Sequence, residues 1–288
     1  MSNCILMDGK ALSNKIRENI KNEVEGIKKD SNLVPGLAVI MVGDDPASEI
    51  YVRNKEKACE QVGFYSKCLK LPADISEDDL IGYIEELNKD ENIDGILCQL
   101  PLPKSIDTKR VLSKINSDKD VDVFKSNNMG KLLLGETSIA PCTPSGIVAL
   151  LDEYNIDIKG KHCVIVGRSN IVGKPLAMLM LQHDASVTIC HSKTEGLKEI
   201  CKTADILVSA VGKKDLITVD MVKEGAVVID VGINRDENGK VCGDVSKDVM
   251  SVASYMTPVP GGVGPMTITM LLRNTLELFK MNTVDFLK

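Results

Sequence analysis

Short apolar runs alternate with amphipathic helical patterns along the chain. That alternation constrains the fold more than any other feature. Two strands separated by a helix re-enter a sheet in the same direction, so the pattern demands parallel pairing with helices covering the faces. GLAVIMVG (36–43) reads as a buried strand ending in a glycine turn, and SKCLKL (66–71) as the next. DGILCQLPLP (94–103) is a third, running into a proline-stiffened loop. Helical patterns surround them. Leu12, Ile16, Ile20 and Val24 share one stripe, and Ala58 and Val62 continue a stripe from Ile50 in SEIYVRNKEKACEQVGF (48–64). SEDDLIGYIEELN (76–88) opens on Ser76 as N-cap with an acidic first turn. Ligands in parallel sheets bind beyond the carboxyl ends of the strands, where MVGDDPAS and QLPLP stand.

A boundary falls in LLLGETSIAPCTPSG (132–146), with Thr143 expected as N-cap and Pro144 as the first helical position. Beyond it the order is strand KHCVIVG, helix GKPLAMLMLQHD, strand SVTIC, a short helix, and strands ADILVSAV and GAVVIDVGI. A loop and one long helix close the chain. The fold class is therefore α/β: two α/β domains around a cleft, the second Rossmann-like with a parallel sheet. Residues 1–140 plus 270–288 are expected to form one domain and 141–269 the other.

Composition excludes several function classes. The net charge of −6 and pI near 5.3 argue against a general nucleic-acid binder, and the chain lacks Trp as a stacking platform. No apolar run approaches the ~18 residues of a membrane span. The N-terminus has no secretory pattern, so the cytoplasm is the expected compartment. The nine cysteines have no C-x-x-C and no metal-ligand spacing to the three histidines. They read as reduced thiols, and no metal is expected.

VIVGRSNIVGKP (164–175) lies between a buried strand and a helix. Gly167 allows the turn, Gly173 allows close approach of helix and backbone, and the helix N-terminus is expected to present unpaired amides to a phosphate. The spacing is not G-x-G-x-x-G, and the glycines alone fit a plain turn equally well. The next strand ends in His191, Ser192 and Lys193 with no carboxylate for ribose hydroxyls, and Arg168 is free to approach the same region. Cation plus hydroxyl suits a 2′-phosphate, which favours NADP over NAD.

Tyr51 and Lys55 stand four residues apart on one helix face, as surface decoration or as a proton-handling pair. The Tyr-x-x-x-Lys spacing also occurs in short-chain dehydrogenases, but there the glycine loop precedes the pair; here it follows by more than a hundred residues. GDDPASEIYVRNKEKACEQVG, DGILCQLPLP, KDVDVF, PCTPSG, VIVGRSNIVGKP, CHSKT, IDVGIN, GDV and TPVPGGVGPMTITMLL occur in the order of a different family. From about residue 5 to residue 280 the chain resembles the bifunctional methylenetetrahydrofolate dehydrogenase/cyclohydrolases, the FolD family.

That resemblance implies oxidation of 5,10-methylenetetrahydrofolate by NADP and hydrolysis of the methenyl product to 10-formyltetrahydrofolate. It implies a catalytic Lys55, with Tyr51 packing on the pterin, Gln99 bonding the lysine and Asp122 gripping the pterin's amino and ring N–H groups. Leu100 and the segment Pro260, Gly261, Gly262, Val263, Gly264 would border the folate. Gly167, Arg168, Ser169, Gly173, Ser192, Ile233 and Thr143 would hold NADP. A homodimer through the nucleotide-binding domains is also implied. The chemistry fits these residues: two flat rings must be positioned, and methenyl hydrolysis needs proton transfers that a lysine of lowered pKa performs.

One segment departs from the family, which usually reads Asp-Gly-Phe-His-Pro where this chain has Asp122, Val123, Phe124, Lys125 and Ser126. A β-branched residue in place of glycine is strained if φ is positive there. The alternative function is thus a dehydrogenase whose cyclohydrolase step is weak or lost. A folate- or nucleotide-binding protein without turnover, and a two-domain NADP dehydrogenase of other substrates, are the remaining readings.

Overall fold

The computed structural model describes residues 4–137 and 139–286. In chain order the first elements are β1 (Ile5–Leu6), α1 (Gly9–Ser31), β2 (Gly36–Val42), α2 (Pro46–Val62), β3 (Tyr65–Leu71), α3 (Glu77–Lys89) and β4 (Gly95–Cys98). Helices α4 (Thr108–Leu112), α5 (Ser126–Leu134) and α6 (Cys142–Glu153) follow. Next come β5 (His162–Val166), α7 (Gly173–Gln182), β6 (Ser186–Cys190), α8 (Leu197–Cys201), β7 (Ile206–Ser209) and β8 (Val227–Asp230). A small hairpin of β9 (Asn234–Arg235) and β10 (Val241–Cys242), then β11 (Tyr255–Met256) and α9 (Val263–Phe286), complete the order.

Two compact units result, one of Lys15–Ala140 with Ile268–Lys288 and one of Met1–Asn14 with Pro141–Thr267. The expected division differs at the N-terminus for a local reason. Ile5 and Leu6 pair in parallel with Tyr255 and Met256, which ties the opening strand to the second unit.

In the unit of Lys15–Ala140, three parallel strands lie in the order β3-β2-β4. All seven residues of β2 are buried, as expected of a central parallel strand covered on both faces. Ala38, Ile40 and Val42 pack with Leu80, Ile84 and Leu87 of α3. Each such fully buried Leu or Ile contributes about 1.5–3 kcal/mol. Ser76 caps α3, accepting from the Asp79 N–H at 3.1 Å, and Glu77, Asp78 and Asp79 fill its first turn. Gly95 admits no larger residue, since a Cβ there would stand 2.2 Å from Val121 Cγ1.

In the other unit a six-stranded sheet runs β1-β11-β8-β7-β5-β6, parallel throughout. Val164, Val166, Leu207 and Val228 form its core with Ile217, Val249 and Met256. The chain leaves β5 for β6 on one side, then crosses back to β7 on the other. The strand order thus reverses between β5 and β7, and a crevice opens at their carboxyl ends.

Candidate active site

Helix α2 is fixed at both ends. The Asp45 carboxylate accepts from the Ser48 N–H at 2.8 Å, Pro46 occupies the first turn, and Gly63 ends the helix at φ 80°. Its buried residues include Ser48, Val52, Ala58, Cys59 and Val62, so Ala58 and Val62 lie inside as expected, with half-buried Lys55 among them. Ile50, the expected start of the stripe, is 56% exposed. Ile50 is two residues before Val52, hence on another side of the helix. Tyr51, one turn before Lys55, is 43% exposed.

Lys55 Nζ donates to Gln99 Oε1 at 2.7 Å, a charge-assisted bond. Gln99 Nε2 donates to the Leu100 carbonyl at 2.6 Å, so the amide oxygen is the end turned toward the ammonium. The Gln99 N–H donates to Ile40 O at 2.8 Å, which fixes the residue immediately beyond β4 against β2. Lys55, Gln99 and Leu100 are thereby brought together at the carboxyl end of this sheet. A lysine so held can give or take a proton at a defined point.

Asp122 lies in a loop that runs beside β4, where Asp120 bridges Ile96 and the Ile96 N–H donates to Lys119 O at 2.7 Å. Asp122 is half-buried. Burial first, and then the Asp122 charge, push the Cys98 thiol up to about 12. Val123 has φ 58° and a fully buried side chain (0% exposed). The strain anticipated for a β-branched residue is therefore present, and the side chain is packed away from solvent. Asp120, which the sequence did not single out, explains how the loop holds this shape. Its carboxylate accepts from the N–H groups of Phe124 (3.2 Å) and Lys125 (2.9 Å) and from Asn128 Nδ2 (3.0 Å). Lys125 is the N-cap residue of α5, and its ammonium donates to the Ile115 carbonyl.

In the other unit, Gly167 at φ 134° turns the chain beyond β5, where a Cβ would stand 2.5 Å from Ala210 O. A Cβ on Gly173 would stand 2.1 Å from Gly167 O. Both positions require glycine. One expectation is corrected: the first amides of α7 are not unpaired. Ser169 Oγ accepts from the Val172 and Gly173 N–H groups at 3.1 and 3.4 Å, and Ser169 O accepts from that of Lys174 at 3.1 Å. Pro175 has no N–H. An anion here meets exposed side chains and the positive end of the helix, with the first-turn amides already engaged.

Arg168, Ser169, Ser192 and Lys193 are exposed around the ends of β5 and β6, and residues 190–194 include no carboxylate. The His191 N–H donates to Thr194 Oγ1 at 2.9 Å and the Lys193 N–H to His191 Nδ1 at 3.2 Å, which shapes the turn that presents Ser192. These residues fit a phosphorylated ribose. Ile233, beyond β8, is 58% exposed. Thr143 is not the cap of its helix: α6 starts at Cys142 with Pro141 before it, and the Thr143 and Thr267 hydroxyls share a 2.9 Å hydrogen bond. Pro260–Gly264 leads from β11 into α9. Gly261 has φ 112°, its carbonyl accepts from the Lys10 N–H at 3.0 Å, and the Gly262 N–H donates to Pro258 O at 2.8 Å. Gly9 and Gly262 touch so closely that a Cβ on Gly9 would stand 1.9 Å from Gly262 O.

Two buried carboxylates in this unit also escaped notice. Asp230 ends β8 and accepts from the N–H groups of Gly232, Asp244 and Val245 at 3.0, 2.9 and 3.0 Å. Asp244 accepts from Ser209, Val211, Gly212, Lys213 and Asn234. The available signal was an aspartate closing an otherwise apolar parallel strand, VVID. Among the described residues, no group of His, Cys, Asp and Glu is arranged to hold a metal ion.

Comparison with known proteins covers both units. Residues 7–122 match the catalytic domain of tetrahydrofolate dehydrogenase/cyclohydrolase, and residues 141–283 match its NAD(P)-binding domain. A bifunctional protein FolD of Bacillus anthracis is 54% identical over 277 residues, 96% of each chain. The crystal structure of the bifunctional FolD of Campylobacter jejuni is 48% identical, with TM-score 0.95 over 97% of this chain and 99% of that one. The Trypanosoma brucei FolD, solved with NADP cofactor and an inhibitor, is 38% identical with TM-score 0.93 over 98% and 99%.

Proposed function

This chain belongs to the tetrahydrofolate dehydrogenase/cyclohydrolase family, and on that footing we propose how its residues serve the two reactions. It oxidises 5,10-methylenetetrahydrofolate to 5,10-methenyltetrahydrofolate with NADP+, then hydrolyses the methenyl form to 10-formyltetrahydrofolate. The observation that carries the assignment of roles is Lys55, held at 2.7 Å by Gln99 within the half that matches the family's catalytic domain.

Bound NADP+ supplies the hydride acceptor. Gly167 and Gly173 let its phosphates approach the β5–α7 turn, Arg168 and Ser192 take the 2′-phosphate, and Ser169, Ile233 and Thr143 complete its contacts. In the folate half, Tyr51 stacks on the pterin and Leu100 borders it. The Asp122 carboxylate accepts two parallel hydrogen bonds from the aminopyrimidine edge. Pro260–Gly264 contributes further contacts to the folate. Lys55 holds the proton exchanged as water adds to the methenyl carbon, and Gln99 keeps its amine on that line.

The dehydrogenase-only alternative is not favoured. A bifunctional relative is 54% identical across 96% of both chains, and Val123 is wholly buried. We also propose a homodimer through the NADP-binding unit. Strand β6 is paired on one side only, and Ile189 on it and Leu181 on α7 are exposed. No helix among the described residues is long and apolar enough to cross a membrane, and we place the enzyme in the cytoplasm, acting in one-carbon metabolism.

Ultraviolet absorbance tests the function directly. Purified protein with methylenetetrahydrofolate and NADP+ is expected to give a rise from the methenyl product, followed by decay faster than spontaneous hydrolysis. A rise without enzyme-dependent decay would remove the cyclohydrolase; no rise, with no NADPH formed, would remove the dehydrogenase.

A further inference from the structure

The crevice between β5 and β7 has two walls. One is the Gly167 turn. The other is the loop beyond β7, whose Ala210 N–H donates to Val166 O at 2.8 Å and whose Ala210 carbonyl lies where a Gly167 Cβ would fall. The next three residues of that loop, Val211, Gly212 and Lys213, all aim their N–H groups at one carboxylate. Asp244 Oδ2 accepts from Val211 at 2.8 Å and Gly212 at 3.2 Å, and Oδ1 accepts from Lys213 at 2.8 Å. The Ser209 hydroxyl donates to Oδ2 at 3.0 Å from inside β7, and Asn234 Nδ2 to Oδ1 at 2.9 Å from beyond β8. Asp244 itself has no exposed surface (0%).

Every donor around this carboxylate is an N–H or O–H of a segment at the carboxyl end of the sheet. The segment carrying Ile233 is held twice: Gly232 by Asp230 and Asn234 by Asp244. The Asp244 N–H donates in turn to Asp230 Oδ1 at 2.9 Å, so both clamps form one unit. Val211 and Ile233, 46% and 58% exposed, are the apolar side chains these clamped segments display.

We infer that Asp244 is a positioning residue for the nucleotide: its buried carboxylate sets the β7 loop and the Ile233 segment as the wall of the NADP crevice opposite Gly167. With both oxygens saturated by donors, an amide at this position turns an N–H₂ group against N–H groups and loses two or more of the five bonds. Ordering of both segments then has to be supplied by the cofactor, which weakens its binding.

The inference rests on the NADP assignment, and the experiment separates the two. NADP dissociation constants are measured by titration for wild type, Asp244→Asn and Asn234→Ala, alongside cyclohydrolase rates, since hydrolysis of the methenyl substrate consumes no NADP. Asp244→Asn is expected to raise the NADP dissociation constant about tenfold or more, and Asn234→Ala, which removes one tether and leaves the carboxylate, about threefold. Both are expected to keep the cyclohydrolase rate within twofold. If Asp244→Asn fails to fold, Asn234→Ala decides the matter alone. Unchanged NADP binding in the folded variants overturns the role of Asp244. A parallel loss of binding and hydrolysis also overturns it, since that marks a general structural role. Wild-type protein that does not bind NADP overturns the cofactor assignment itself.

Discussion

Replacing Val123 by alanine and by glycine reads the backbone of the loop that carries Asp122. At φ 58° the valine Cβ sits in the left-handed region, at 0% exposure. A Cβ there costs about 1–2 kcal/mol. Glycine gives up about 0.5–1 kcal/mol of chain entropy relative to alanine, and one buried methyl is worth about 0.8 kcal/mol. With an ordinary φ, Val123→Gly would fall below Val123→Ala by about 1.5 kcal/mol, the sum of the last two quantities. In the left-handed region the relief of about 1.5 kcal/mol cancels that difference. The two variants are therefore expected within about 0.5 kcal/mol of each other, both about 1.5 kcal/mol below wild type from lost burial. Urea unfolding followed by circular dichroism measures this, provided the slopes agree. A glycine variant less stable than the alanine variant by about 1.5 kcal/mol would refute the strain argument. The same proteins address catalysis: cyclohydrolase rates of wild type and Val123→Gly are expected within threefold. A near-zero wild-type rate restored by glycine would return the dehydrogenase-only reading.

Lys55→Met should lower the cyclohydrolase rate by about 10²-fold or more while leaving NADP affinity within twofold; survival of both rates would remove the lysine from the chemistry. Arg168→Ala should raise the Michaelis constant for NADP about 10- to 100-fold and leave that for NAD unchanged, since only NADP carries the 2′-phosphate. Equal losses with both cofactors would place Arg168 elsewhere. Burial pushes the Asp94 carboxyl up to about 6, with the Gly36 N–H opposing. Because the folded-state value is raised, the folded protein holds this proton more tightly than the unfolded chain. That stabilisation is fully present below about pH 4 and is lost as pH rises to about 6. Relative to Asp94→Asn, whose amide oxygen still accepts from Gly36, wild type is expected to lose on the order of 3 kcal/mol across this window. A pH-independent difference in urea midpoint would contradict the shift.

What the sequence made legible, and what it hid, follows from the range over which each residue acts. GLAVIMV announces a central parallel strand because its burial depends on its own seven residues. The stripe of α2 is right at Ala58 and Val62 and wrong at Ile50 for the opposite reason. Its buried face carries Ser48 and Lys55, so hydrophobicity pointed to Ile50, and these two polar residues concealed part of the true face. Thr143 has the chemistry of an N-cap, yet its hydroxyl meets Thr267, 124 residues away. Asp120, Asp230 and Asp244 were missed because their meaning lies in backbone donors gathered by the fold; Ser209 and Asp244 are 35 residues apart. Gly167 and Gly173 were legible as a turn. The fate of the first-turn amides was not, since it depends on the rotamer of Ser169.

The pairing of β1 with β11 also bears on how the chain is made. Ile5 and Leu6 leave the ribosome about 250 residues before Tyr255 and Met256. At ~5–20 residues per second, that interval is roughly 12 to 50 seconds. Through it, the edge of the six-stranded sheet stays unfinished, while β2, β3 and β4, all within Gly36–Cys98, have every partner they need. Contacts so distant in sequence form late. Removing Ile5 and Leu6 would thus strip an edge from the unit that binds the nucleotide, a part of the protein whose main sequence begins more than a hundred residues further on.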